Sequence, residues 1–264
     1  MMDPPSGYPQ MAHLPPALRR SGIAAKAAGV GGAEDSLSQA GYSGLIARLD
    51  AYAVAASRRP LVVLAALIGV NLALLPVFIG AGLAVGDQAL LLREGAPGTV
   101  LSFALLLAVA VAARAVFLRD GASFWRLSAA VFVVFAVNEI TQAGMFLSEW
   151  LGSEFGVAPA GGFNDLDSVL LVLLFAGCGL LLASRAAVLL RHPLTLLLLG
   201  IGVAIGAASQ ALDSFVTPTK WEFVAEESLK LTAEPFFIAG FLVALASVLR
   251  RQGAAGGSPA GKRS

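Results

Sequence analysis

Residues 221–235 read WEFVAEESLKLTAEP, and the chain then continues without a charged residue to Leu249. The stretch contains five ionisable side chains, which are Glu222, Glu226, Glu227, Lys230 and Glu234. They stand at one end of a segment that is otherwise apolar enough to dissolve in lipid. Because ionisable groups inside a membrane are energetically costly, their presence there indicates a functional site.

The composition of the whole chain agrees with a membrane protein. Its 264 residues are 57% hydrophobic and 13% charged, and the mean hydropathy is +0.80. Soluble domains carry about 25% charged residues. A net charge of +1 gives no basic field for nucleic acid. The single cysteine, Cys178, excludes an intrachain disulfide, and His13 and His192 lie away from the ionisable stretch, which disfavours a histidine-ligated zinc or haem.

Six apolar stretches have about the length that crosses a bilayer. Backbone groups in hydrocarbon must bond within their own segment, so such stretches form helices. The sequence therefore predicts an all-α, polytopic transmembrane bundle of about six spans in residues 58–251. The spans are Leu61–Val85, Val100–Leu118, Ser128–Leu147, Val169–Leu190, Leu194–Leu212 and Leu229–Leu249.

Basic residues are concentrated at alternate ends of these spans. They are Arg58 and Arg59 before the first span, Arg114, Arg119 and Arg126 around the second connection, Arg185 and Arg191 around the fourth, and Arg250 and Arg251 after the last. The other connections hold few basic residues, and the third is acidic. By the positive-inside rule, this bias predicts a cell (inner) membrane protein with both termini in the cytoplasm.

The regions outside the spans differ in character. Residues 1–36 are rich in Pro, Gly, Ala and Ser and are predicted to be a disordered tail. In residues 37–57, Leu45, Leu49, Tyr52 and Ala56 recur at helical spacing, which fits an amphipathic surface helix or a solvated linker helix. Residues 252–264 form a flexible C-terminal tail by composition.

The assigned direction brings the polar groups of several spans into one leaflet. A helical rise of about 1.5 Å per residue puts Glu139 about 20 Å from Arg126, and Glu234 about 24 Å from Arg250. The spacing from Lys230 to the acids before and after it is three or four residues, so these groups share one helix face. The predicted ligand-binding residues are Glu139, Gln142, Asp213, Glu226, Glu227, Lys230 and Glu234.

Two further features concern how the helices pack. Pro235 removes a backbone donor next to Glu234, which leaves a carbonyl free that could bind a cation. Asn71, a lone amide in the first span, is predicted to form an interhelical hydrogen bond. Small residues indicate close helix packing at Gly177, Gly179, Gly200, Gly202 and Gly206.

Oxygen ligands without histidine or cysteine favour a divalent cation such as Mg²⁺, Ca²⁺ or Mn²⁺, for which Glu139, Glu227 and Glu234 are the candidate ligands. A carboxyl in apolar surroundings is also suited to proton exchange. We therefore expect a transporter or sensor that binds a cation, a proton or a small polar ligand in an acidic cavity open to the extracytoplasmic side. The alternatives are a membrane-embedded metal-dependent hydrolase of a lipid or peptide that uses the same carboxylates, and a structural or assembly subunit of a membrane complex. The expected partners are the lipid bilayer and either another membrane protein or a second copy of this chain.

Two short motifs resemble known families. FAVNEITQ at residues 135–142, together with EESLK at residues 226–230, resembles an uncharacterised group of bacterial multi-pass membrane proteins, which implies a bundle of about six passes. Separately, Glu226-Glu227-x-x-Lys230 and Phe135-x-x-x-Glu139 resemble the EExxK and FxxxE elements of PrsW-type intramembrane proteases. That resemblance implies a catalytic or metal-associated role for the three acids. Here the two elements occur in reverse order, and the histidine motif of that family is missing.

Overall fold

A computed structural model describes residues 44–84, 96–156, 166–216 and 219–256 of the chain. Contacts divide the chain into two compact units, residues 1–48 and 49–264. In the first unit, residues 44–48 are helical. The predicted disordered tail at residues 1–36 lies outside the described residues, as does the larger part of the predicted C-terminal tail.

The described residues form helices and no strands. The helices are α1 (44–56), α2 (Pro60–Ala84), α3 (Pro97–Asp120), α4 (Ser123–Thr141), α5 (Ala143–Phe155), α6 (Leu166–Ala183), a 3₁₀ segment (Ala186–Arg191), α7 (Pro193–Phe215) and α8 (Lys220–Gly256). Six of them are long and apolar enough to cross a membrane, namely α2, α3, α4, α6, α7 and α8. The predicted all-α architecture with six candidate spans is thereby confirmed.

The third and fourth spans differ in extent from the prediction. The third was expected to continue to Leu147, but α4 ends at Thr141 because Gln142 adopts a left-handed conformation with φ 53°. The Oδ1 atom of Asn138 then accepts a hydrogen bond of 3.1 Å from the backbone N–H of Gly144 in the first turn of α5. This bond satisfies one of the free donors that every helix start carries.

The fourth predicted span was too long at its C-terminal end. Helix α6 ends at Ala183, and the 3₁₀ segment Ala186–Arg191 occupies the remainder of the predicted span. The sixth span is extended in both directions, since α8 covers Lys220–Gly256. The first residues of the predicted flexible tail, 252–256, are therefore helical.

Helix α8 forms the centre of the bundle. It packs against α7, α3 and α2. Within its apolar 18-residue segment, 72% of the residues are buried, whereas 6% are buried in the corresponding segment of α6. Trp125 of α4 and Phe241 of α8 are fully buried, with ring centroids 6.0 Å apart. Phe132 contacts the same Phe241 ring at 5.9 Å. The aromatic core thus lies between α4 and α8, while α2 and α6 present long apolar faces outward.

Glycines allow α7 and α8 to approach closely. A methyl group at Gly202 would lie 2.8 Å from the ring of Phe237, and one at Gly240 would lie 2.7 Å from Leu199. Gly206 is 4.0 Å from Ala233 by the same measure. The packing interpretation therefore holds for Gly202 and Gly206. The remaining predicted packing glycines, Gly177, Gly179 and Gly200, have no atom within 4 Å of such a methyl group.

The part of α1 in the second unit is attached to the bundle by an ion pair. Both guanidinium nitrogens of Arg119 donate to the Asp50 carboxylate, at 3.0 and 2.8 Å. This hydrogen bonding holds the pKa of Asp50 below its usual value. Residues 44–56 of the predicted amphipathic helix are helical, with Tyr52 exposed and Ala53 buried. Residues 37–43 of that prediction lie outside the described part of the chain.

Candidate functional site

The Lys230 ammonium lies between two carboxylates from different helices. Its Nζ is 2.6 Å from Oε1 of Glu227, one turn earlier on α8, and 3.0 Å from Oε1 of Glu139 on α4. The side chains of Lys230, Glu139 and Glu227 are 28%, 14% and 7% exposed, respectively. A lysine in this position neutralises acids that would otherwise repel each other inside the bundle.

Glu234 lies one turn further along α8 and is 2% exposed. The hydroxyl of Ser102 on α3 donates to its Oε1 atom at 2.5 Å. Its other oxygen, Oε2, is buried and has no hydrogen-bond partner in the described part of the chain. Glu234 interacts electrostatically with the charges of Lys230, Glu139 and Glu227. We call Glu139, Glu227, Lys230 and Glu234 the carboxylate–lysine cluster.

The carbonyl freed by Pro235 has a partner on another helix. Proline has no N–H to donate to the carbonyl four residues earlier, which here belongs to Leu231. The Nδ2 group of Asn71 on α2 donates to that carbonyl at 2.5 Å. Asn71 therefore forms the interhelical hydrogen bond that the sequence predicted. The freed carbonyl, a predicted candidate for a cation ligand, is instead bonded to an amide.

Asp213 and Glu226 lie beside the cluster. The Oδ2 atom of Asp213 accepts hydrogen bonds from Nε2 of Gln210 at 2.9 Å and from the hydroxyl of Ser168 on α6 at 3.2 Å. Glu226 experiences the charges of Glu227, Lys230 and Asp213. Its backbone carbonyl accepts a hydrogen bond from Ser209 on α7. Acidic groups on α4 and on α7 are thus each close enough to influence ionisable groups of α8.

Gln142 differs from the other predicted site residues. It forms the turn between α4 and α5, where its backbone N–H donates to the carbonyl of Asn138. Its side chain makes no hydrogen bond within the described residues. Its observed role is to end α4 one turn after Glu139. Gln142 therefore affects the site through the course of the backbone and not through its side chain.

The described residues contain no group of three or more His, Cys, Asp and Glu side chains arranged to hold a metal ion. In the carboxylate–lysine cluster, the Lys230 ammonium supplies the positive charge between Glu139 and Glu227. The assignment of Glu139, Glu227 and Glu234 as ligands of a divalent cation stays a prediction.

Ser102 is a residue of the site that the sequence alone does not indicate. It is a fully buried hydroxyl in an apolar stretch of α3 and donates to a carboxylate 132 residues away in the chain. The only signal in the sequence is a polar residue inside a predicted span. Serines in membrane helices commonly bond to their own backbone, so that signal does not indicate an acidic partner.

A second polar group lies near the other end of α8. His192, just before α7, is 4% exposed, and Nη2 of Arg251 lies 2.7 Å from its Nε2 atom. Its ring packs edge-to-face with the ring of Trp125, whose indole N–H donates to Asp120. Burial, followed by the nearby charge of Arg251, lowers the pKa of His192.

Compared with protein-family models, curated proteins and solved structures, the chain gives no match in any of the three. The candidate function therefore follows from the geometry of the polar groups in this bundle of apolar helices.

Proposed function

We propose that this protein is a membrane transporter or sensor that binds and releases a proton at Glu234. The observation that carries the proposal is the environment of that carboxyl group. It is buried between α3 and α8, one oxygen accepts a hydrogen bond from Ser102, and the other oxygen has no hydrogen-bond partner among the described residues. An unbonded carboxyl oxygen in an apolar interior is a suitable acceptor for a proton.

The charges of the cluster support a proton as the ligand. Three carboxylates and one ammonium leave an excess of negative charge, and such an excess inside a low-dielectric interior is costly. A proton on Glu234 removes one negative charge without requiring the space or the additional oxygen ligands that a hydrated divalent cation needs. Lys230 already compensates the pair formed by Glu139 and Glu227.

The proposal includes an orientation. The distribution of basic residues favours cytoplasmic termini in the cell (inner) membrane, with the cluster in the outer leaflet. Protons would then reach Glu234 from the extracytoplasmic side, past Glu226 and Glu227. Transfer to the opposite side would make the protein a transporter, whereas a conformational response without transfer would make it a sensor.

Infrared difference spectroscopy tests proton binding directly. We expect the purified full-length protein in lipid to show a carbonyl stretching band of a protonated carboxyl that changes with pH and disappears in Glu234→Gln. The matched control is Glu149→Gln, which changes an exposed acid on α5 and should retain the band. An unchanged band in Glu234→Gln overturns the proposal.

Proton flux separates the two forms of the proposal. In liposomes that contain a pH-sensitive dye, a transporter acidifies or alkalises the lumen after a potential is applied, and Glu234→Gln removes that flux. A sensor retains the pH-dependent infrared band and shows no flux above that of empty liposomes.

A further inference from the structure

A groove lies near the end of α8 that is remote from the carboxylate–lysine cluster. It is formed by the link between α1 and α2, the start of α7 and the last turns of α8, and its volume is about 740 Å³. This volume falls within the range of about 300–1,000 Å³ that small-molecule sites occupy. Its lining includes Arg58, Arg59, Leu61, Leu194, Val243 and Arg250.

The polar part of the groove is positively charged. Arg58, Arg59 and Arg250 are exposed, and none of them forms a salt bridge with a carboxylate in the described part of the chain. Among the residues that the structure describes, no aspartate or glutamate lines the groove. Helix α2 begins at Pro60, directly after Arg58 and Arg59, and the positive end of its dipole adds to their field. The groove therefore has the charge that binds a phosphate group.

Apart from Ser57, the remaining lining is apolar, and part of it follows the side of α8. From Arg250 to Val243 the helix rises about 10 Å, and Ala246 and Leu249 line the groove over this length. Leu61 and Leu194 form the opposite side from α2 and α7. A soluble anion gains no binding energy from this apolar surface. A phospholipid does, because it carries acyl chains next to its phosphate headgroup.

We propose that this groove binds one anionic phospholipid. The headgroup phosphate contacts Arg58, Arg59 and Arg250, and an acyl chain lies along Leu61, Leu194 and Val243. Basic pockets between membrane helices are established positions for anionic headgroups, because the attraction of several arginines adds to the burial of the chain. The lipid would join α2, α7 and α8 at the arginine-rich end of the bundle.

Native mass spectrometry of the full-length protein in detergent tests this binding. The probes are phosphatidylglycerol and phosphatidylcholine with identical acyl chains, each titrated onto delipidated protein. We expect one phosphatidylglycerol to bind with preference over phosphatidylcholine. Arg59→Gln/Arg250→Gln should weaken its binding about 30-fold, on the basis of the usual contribution of each arginine near a headgroup.

The matched control is Arg185→Gln/Arg191→Gln, which removes two exposed arginines that do not line the groove. This variant should bind phosphatidylglycerol as the wild type does. Ala246→Trp fills the apolar wall and leaves all three arginines in place, and it should also weaken binding. Equal loss in the control variant, equal binding of phosphatidylcholine, or undiminished binding to Ala246→Trp overturns the proposal. Displacement of the lipid by millimolar inorganic phosphate would assign the site to a free anion and overturn it as well.

Discussion

At the scale of single residues, Pro235 and Asn71 show how a missing backbone donor is compensated across two helices. Proline leaves the Leu231 carbonyl without its partner within α8, and an unpaired carbonyl inside a bundle is unfavourable. The amide of Asn71 replaces the missing donor from α2. This bond lies one turn before Glu234, so it also stabilises the backbone that positions the proposed proton site.

A double-mutant cycle tests this compensation. We expect Asn71→Ala to lower the unfolding free energy by about 1 kcal/mol, since a buried carbonyl loses its donor. In a Pro235→Ala background, the new N–H at residue 235 can donate to Leu231, so Asn71→Ala should cost less than half as much. The measurement is denaturant unfolding of the four proteins in one detergent. The same cost in both backgrounds would show that Asn71 does not compensate for the proline.

The sequence predicted the bonding partners of some of these residues and not of others. Helical spacing predicted acids on both sides of Lys230, and Glu227 forms the preceding pair. The acid after it, Glu234, is hydrogen-bonded to Ser102, and the second salt bridge of Lys230 comes from Glu139 on α4. Spacing within one helix is a local property, whereas the choice between Ser102 and Lys230 depends on how α3 and α4 pack against α8.

At the scale of elements, hydropathy located the six apolar helices because a long apolar run has no alternative to helix in lipid. It did not locate the break at Gln142, because the polar residues Asn138, Glu139 and Thr141 are followed by a further apolar stretch at residues 143–147. That break depends on a left-handed backbone conformation and on the hydrogen bond from Gly144 to Asn138. Neither leaves a hydropathy signal, so the predicted third span joined α4 to part of α5.

The contact between His192, just before α7, and Arg251 of α8 predicts that the stability of the fold depends on pH. Arg251 donates to Nε2 of His192, which requires that nitrogen to be unprotonated. The folded pKa of His192 lies below its ordinary value of 6.5, so the unfolded state binds more protons in that range. The contribution of His192 to the stability of the folded state is complete above about pH 6.5. It is lost as the pH falls through the folded pKa of His192.

Thermal unfolding between pH 7.5 and pH 5 in one detergent measures this effect. We expect the melting temperature of the wild type to fall towards pH 5, and that of His192→Gln to change less, because glutamine accepts a hydrogen bond without titrating. His13→Gln changes the other histidine of the chain and should retain the wild-type pH dependence. Parallel profiles for the wild type and His192→Gln would contradict the assignment.

At the scale of the whole molecule, α8 connects most of the features described. It carries Glu227, Lys230 and Glu234 at one end and Arg250 and Arg251 at the other, and α2, α3 and α7 pack against it. The other candidate spans are exposed over a larger part of their surface. This arrangement explains why the segment with the most ionisable residues is also the most buried span. Its charges are tolerated because neighbouring helices shield them.

The proposed orientation predicts which connections face outward. In a Cys178→Ala background, Ser153→Cys on α5 should react with a membrane-impermeant maleimide in intact cells. Ser184→Cys, after α6, should react only when the membrane is permeabilised. Both serines are exposed, and their connections are separated by one candidate span. The reverse labelling pattern would require the opposite orientation, with the basic residues outside.

The length of α8 has a mechanical consequence. Its 37 residues extend about 55 Å, whereas the hydrocarbon layer is about 30 Å thick. A helix of this length that crosses the bilayer extends beyond the hydrocarbon, and about 30 Å separates Lys230 from Arg250 along its axis. If a change of charge at the proposed proton site tilts α8, the displacement would be largest at the opposite end of the helix. The proposed lipid groove would then widen or narrow when Glu234, near the other end of the bundle, gains or loses its proton.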